Sequence, residues 1–194
     1  VNQERARTVW DSTYVAVYHM EEEDTSVTMP DSTNLNNATQ TAAAEPDFGA
    51  GQIGYHQNFD GTNDMVQGTT NGMSATNGSV EAWFSHDNAG ADEVIFKHPN
   101  ISDHRIAILI DSATGQLATQ FGDSGNLTTG DVITDDTYYH VMITWDNGTY
   151  FAYLNGVQTA TASYTGLSTI HSCFAFGANP STCTGTADVW DGRI

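Results

Sequence analysis

The 194-residue sequence predicts an all-β fold, an antiparallel β-sandwich with a long N-terminal loop, on three observations. Short segments with period-two alternation or β-rich composition recur from one end of the chain to the other. Clusters of Asp, Asn and Gly, which accept the positive φ of tight turns, separate them. No apolar pattern of helical period persists for three turns. One undivided domain over residues 1–194 is expected, because sandwiches of this size commonly form a single unit.

In chain order, strands are expected over residues 14–20, 57–59, 64–66, 79–85, 93–97, 105–110, 117–121, 138–145, 149–154 and 173–176. The strongest local signal is a hairpin whose arms, 138–145 and 149–154, are joined through Asp146-Asn147-Gly148, since Asn-Gly suits a two-residue turn. A second turn follows at Asn155-Gly156. In the first arm Tyr139, Val141, Ile143 and Trp145 share one face, while Tyr138, His140, Met142 and Thr144 share the other. Both faces carry bulk, but His140 and Thr144 mark the second as the exposed one. In 79–85 the set Val80, Ala82, Phe84 alternates with Glu81 and Trp83, so one of the two sets is solvated or lines a groove. Residues 27–54, poor in apolar side chains, read as one long loop.

Charge narrows the function. Five Lys and Arg against 24 Asp and Glu give a net charge of −19, which repels phosphate backbones and anionic lipid headgroups. Nucleic acid and membrane insertion are therefore not expected, and no run reaches the roughly 18 apolar residues of a membrane span. The N-terminus, VNQERARTVW, lacks the apolar stretch of a signal peptide. The two cysteines, Cys173 and Cys183, either form a disulfide around Gly177, Asn179 and Pro180 or are metal-binding thiols; a zinc site would need about four ligands. The disulfide is the expectation, and with it an oxidising, extracellular or cell-surface location.

The ordered segments WDSTYVAVYHMEE, DSTNLNN, GQIGYHQNFDGTNDMV, SVEAWFS, TYYHVMITWDNGTYFAYLNGVQ and ADVWDGRI resemble the laminin-G-like, concanavalin A-like lectin/glucanase jelly roll. The resemblance extends from Trp10 to Ile194, and its specific parts are FDGTND at 59–64, the AWFS strand and the YYHV segment leading to YLNG. It implies a concanavalin A-like jelly roll of the kind found in large surface proteins, with a glycan or a cell-surface protein as partner. Relatives usually continue past Gly192-Arg193-Ile194 into a further strand carrying Asp and Glu. The resemblance therefore leaves the last strand position open, to be supplied by another chain or to serve self-assembly through an open edge strand.

Many similar jelly rolls fasten the Asp-Ser-Thr loop with one calcium ion. Asp31 and Asn36, with Asp60 in the second acidic loop and Asp188 or Asp191 near the last strand, are the metal ligands this implies. The same acids can instead form Asx-turns. The run Glu21-Glu22-Glu23-Asp24 reads as a solvated loop, and the histidines lack the spacing of a helical zinc motif.

The related glucanases carry a Glu-x-Asp-x-x-Glu strand, and no such pattern occurs in this chain. Basic groups that would neutralise a uronate are few: Arg5, Arg7, Lys97, Arg105 and Arg193. Catalysis is not expected. For sugar recognition, which pairs aromatic faces with planar amides and carboxylates, the candidates are Tyr55, His56, Asn100, Asp103, Tyr164, His171 and Trp190, all placed near loops or ends. Trp83 and Trp145, in mid-strand, read as core. The expectation is a non-catalytic extracellular recognition module, carbohydrate-binding and with a structural calcium. The alternative is an assembly subunit of a surface layer, filament or virion.

Overall fold

Alternating side chains in two long neighbouring strands divide the molecule into an inside and an outside. In a computed structural model, which describes residues 9–22, 27–40, 45–52, 54–87, 93–98, 105–165, 167, 169–180 and 187–194, the chain forms fifteen strands and no helix among those residues. They are β1 (Thr28–Met29), β2 (Ala38–Thr39), β3 (Asp47–Ala50), β4 (Tyr55–Asp60), β5 (Val66–Thr69), β6 (Asn77–His86), β7 (Glu93–His98) and β8 (Arg105–Asp111). There follow β9 (Gln116–Gly122), β10 (Leu127–Val132), β11 (Tyr138–Asp146), β12 (Thr149–Leu154), β13 (Val157–Ser163), β14 (Cys173–Phe176) and β15 (Asp191–Arg193).

Two antiparallel sheets result. One has the order β1-β2-β5-β14-β7-β8-β9-β10, and the other the order β13-β12-β11-β6-β15-β4-β3. Their inner faces meet in a core to which Phe59, Phe84, Ile143, Tyr150 and Trp190 contribute from the seven-stranded side. Ile106, Ile108, Leu117, Phe121 and Phe174 contribute from the eight-stranded side. Phe121 stacks on Tyr150 across the interface, with ring centroids 5.1 Å apart.

The hairpin read from the sequence is present: β11 pairs with β12 from Val141–Leu154 to Asp146–Thr149. Asn147 and Gly148 both take positive φ, 45° and 90°, as a twist-matched two-residue turn demands. The faces of β11 also follow the alternation, with Val141, Ile143 and Trp145 buried.

Four expectations are corrected. Residues 14–20 do not form a strand: side chains take part of the backbone pairing, the Val17 amide donating to the Asp31 carboxylate and the Val15 carbonyl accepting from Asn36, beside a backbone bond from the Ser32 amide to the Val17 carbonyl. The span 27–54 is not one loop but contains β1, β2 and β3. Strands β10 and β13 were not expected, since they lie at sheet edges where few positions must be apolar. The last strand of the described residues is not an open edge: β15 lies between β4 and β6 and is hydrogen-bonded to both.

Cys173 is disulfide-bonded. The expected partner, Cys183, lies outside the described residues. The cross-link closes a loop of about ten residues, and its reduction is expected to lower stability by about 2–3 kcal/mol. Urea unfolding with and without a reductant measures this, and an unmoved midpoint would deny the bond any constraining role.

Candidate functional site

The outward face of the seven-stranded sheet carries an aromatic patch in its middle. Because Phe84 points into the core, Trp83 must point out, and 45% of its surface is exposed. Register places His140 of β11 directly opposite Trp83, with ring centroids 5.2 Å apart, and Tyr138 opposite Ser85. Arg193 of β15 is opposite Ser85 on one side and Asn58 of β4 on the other. Two strands from β6, His56 of β4 lies with its Nδ1 3.0 Å from the Tyr138 hydroxyl. A shallow pocket is lined by Gly51, Gln52, Tyr55, His56, Trp83, Tyr138 and Ile194.

Each side chain of the patch is held in place. The His56 imidazole lies across Gly49 of β3, where an added Cβ would come within 2.5 Å of Nε2, so only glycine leaves room for the ring. Burial, reinforced by the positive charge of Arg193, holds the His56 pKa below its ordinary value, against an opposing hydrogen bond to Ala50 and the charge of Asp87; the ring is neutral at neutral pH. His140 Nε2 is 3.3 Å from the Glu81 carboxylate. Arg193 pairs with Asp87 at 2.9 Å and with Asp136 at 3.3 Å. Tyr55 stacks on Phe48, with centroids 4.7 Å apart, and remains half exposed. The result is an aromatic surface edged by hydroxyl, imidazole and carboxylate groups, suited to stacking and hydrogen bonding with a polyhydroxylated ligand.

Of the expected binding residues, the structure brings Tyr55 and His56 together at this pocket and places Tyr164, His171 and Trp190 elsewhere. Trp190 is a core residue with 0% of its surface exposed, packed against Phe84 and His86, and has no face open to a sugar. Tyr164, 9% exposed, packs under β13 against Phe121. His171 sits by the eight-stranded sheet, its amide donating to His98 Nε2 at 2.7 Å. Asn100 and Asp103 lie outside the described residues. Trp83, which read as core, is instead an exposed ring of the patch, as Tyr55 is, whereas Trp145 is buried as expected.

The expected metal ligands are each engaged by protein donors in this structure. Asp31 Oδ1 accepts from the amides of Val17 and Thr33, and Oδ2 from the Thr33 hydroxyl and the amides of Leu35 and Asn36, at 2.5–3.0 Å. These five donors occupy the roughly four lone-pair positions of a carboxylate. Asn36 Oδ1 is likewise engaged by Thr69 and the Asn71 amide. Asp60 accepts from the Thr62 amide, and Asp188 from the Asn179 side chain. Among the described residues no three His, Cys, Asp or Glu side chains gather as a metal site would require.

A second titratable centre lies inside. His86, at the inner end of β6, is 2.9 Å from Asp135 through Nδ1 and 3.1 Å from Glu93 through Nε2, and so ties the two sheets together. Burial opposes its charge, but the two hydrogen-bonded carboxylates outweigh burial and hold its pKa above the ordinary 6.5. With the folded pKa above the unfolded one, the contribution is full below 6.5 and is lost as pH rises through the folded value. The stability difference between wild type and His86→Gln should therefore shrink as pH rises above 6.5. Urea titrations across that range decide it, and a constant difference would mean that the pair does not titrate.

Residues 60–194 match the concanavalin A-like lectin/glucanases superfamily, and the chain belongs to that family. No curated protein matches it in sequence. Among solved structures it is similar to domain 4 of AbnA, an extracellular arabinanase of Geobacillus stearothermophilus in complex with arabinotriose. The TM-score is 0.67 and the identity 20%, over 84% of this chain and 82% of that one. It is also similar to Trypanosoma rangeli sialidase (TM-score 0.66, identity 13%), covering 97% of this chain but 31% of the sialidase. A structure of botulinum neurotoxin type C, described as entering cells through two ganglioside molecules, matches at TM-score 0.57 and 18% identity, over 92% of this chain and 47% of the toxin. At these identities the likenesses establish the fold.

Proposed function

We propose that this domain is a non-catalytic, extracellular glycan-recognition module whose binding face is the outward surface of the seven-stranded sheet. One observation carries the reading: Trp83, half exposed in the middle of a sheet, lies among His140, Tyr138 and His56 with its ring open to solvent. A large apolar ring costs free energy when left in water, and a sugar's C–H face removes it while the surrounding polar edges meet hydroxyls. The family, and structural neighbours described with arabinotriose and with gangliosides, support carbohydrate as the ligand class. The Cys173 disulfide supports an oxidising location.

No part of this reading depends on a metal. A structural calcium remains the expectation of the family resemblance and is tested together with binding. The purified domain is applied to a broad glycan array in millimolar calcium and in EDTA, with a thermal melt under both conditions. Binding to a defined set of glycans is the expected result. A melt lowered by EDTA would establish a structural ion, and binding lost with it would place that ion beneath the site. Silence from folded protein under both conditions would overturn glycan recognition and favour the assembly subunit.

A further inference from the structure

We propose that the aromatic face selects uncharged glycans and rejects those bearing carboxylates, an inference that rests on the glycan-binding reading above. The carboxylate of a sialic or uronic acid is met most strongly by a charge-assisted donor, an Arg or Lys free to pair with it. The chain has five Lys and Arg, of which Arg5 and Arg7 lie outside the described residues. Lys97 is on β7 and Arg105 on β8, both in the eight-stranded sheet. Among the described residues, Arg193 is thus the one Lys or Arg of the seven-stranded sheet.

Arg193 is already committed. Its Nη1 is 2.9 Å from Asp87 and 3.3 Å from Asp136, and it donates to Ser85 Oγ at 3.4 Å. The two histidines of the face do not replace it: His140 is engaged by Glu81, and His56 is neutral beside Tyr138. The paired carboxylates are themselves exposed, the Glu81 side chain to 59% and that of Asp136 to 78%. An arriving carboxylate would therefore meet like charge at the patch and a net charge of −19 behind it, with no free donor cation among the described residues of that sheet to offset either. A neutral sugar needs only the Trp83 face and the neighbouring hydroxyl and imidazole groups. The selection is electrostatic and acts near the surface, so salt must weaken it.

The test uses matched pairs: oligogalactans against oligogalacturonates, lactose against sialyllactose, and arabinotriose as a further neutral probe. These are titrated at about 20 mM and about 500 mM salt. The same pairs are titrated with an Asp87→Asn/Asp136→Asn double variant, which releases Arg193 and suits the positive φ of Asp136 because Asn tolerates it. The expected result is binding of neutral members, with carboxylated partners about tenfold weaker at low salt. That gap should narrow at high salt and in the double variant. A carboxylated member binding as tightly as its neutral partner overturns the inference and leaves the glycan-binding reading intact. A gap indifferent to salt and to the double variant overturns its electrostatic basis. Folded protein that binds none of the probes at either salt overturns both readings.

Discussion

Trp83→Ala is expected to weaken binding of a neutral glycan between tenfold and a hundredfold while leaving the fold intact. The exposed 45% of an indole amounts to roughly 100 Å², and covering it at about 25 cal/mol per Å² is worth about 2.5 kcal/mol, close to the upper end of that range. The truncation should cost little stability, because the ring packs on the sheet's outside against His140 and leaves no cavity in the core. Trp83→Phe keeps an aromatic face and should retain most of the affinity. Calorimetric titration with a bound glycan and a thermal melt of each variant separate the effects. Affinity unchanged in Trp83→Ala would remove the ring from the site, and a collapsed melt would make it a packing residue.

Gly49→Ala tests the same face from beneath, because its Cβ would enter the space of the His56 ring. The displaced imidazole should reduce affinity severalfold, less than the loss of Trp83, since His56 contributes an edge rather than a stacking surface. Glycan titration of the variant measures it, and unchanged affinity would show that His56 needs no support from β3.

What the sequence disclosed depended on whether a feature was local. Asn147-Gly148 sets its turn through two backbone angles, and the alternation of β11 follows from the pleat, so both were legible in a few residues. The alternation of β6 also contained the position of Trp83: it shares a parity with Glu81, and solvating Glu81 brings the indole outward with it. What remained hidden was the neighbour, because His140 lies opposite Trp83 through register alone. Trp190 and Tyr164 misled for the same reason, since both stand in polar sequence but are carried into the core by the elements beside them. The edge strands β10 and β13 were hidden by composition, being rich in Thr, Gly and Gln.

Asp31→Ala should have the largest effect on stability, about 3–5 kcal/mol. Its carboxylate is 1% exposed and gathers four backbone amides with one hydroxyl, so alanine leaves buried donors without an acceptor at about 1–3 kcal/mol each, reduced where water enters. Those donors belong to the segments around Val17 and Thr33–Asn36, and Asn36 in turn holds Val15 and Asn71. Their loss should therefore free the N-terminal stretch from the end of β5. In this structure converging N–H groups neutralise the acid in the way the resemblance assigned to a cation. Burial alone would raise the Asp31 pKa, but the hydrogen bonds from Thr33, Val17 and Asn36 outweigh it and hold the value below 3.8. With the folded pKa depressed, the contribution is complete above 3.8 and is lost as pH falls through the folded value. Urea unfolding at neutral pH should show the full loss in Asp31→Ala with an unchanged denaturant slope, and the gap to wild type should close in acid. A loss below about 1 kcal/mol would mean that water replaces the carboxylate at little cost. A loss that appears only when EDTA is absent would return Asp31 to the ligand shell of a metal.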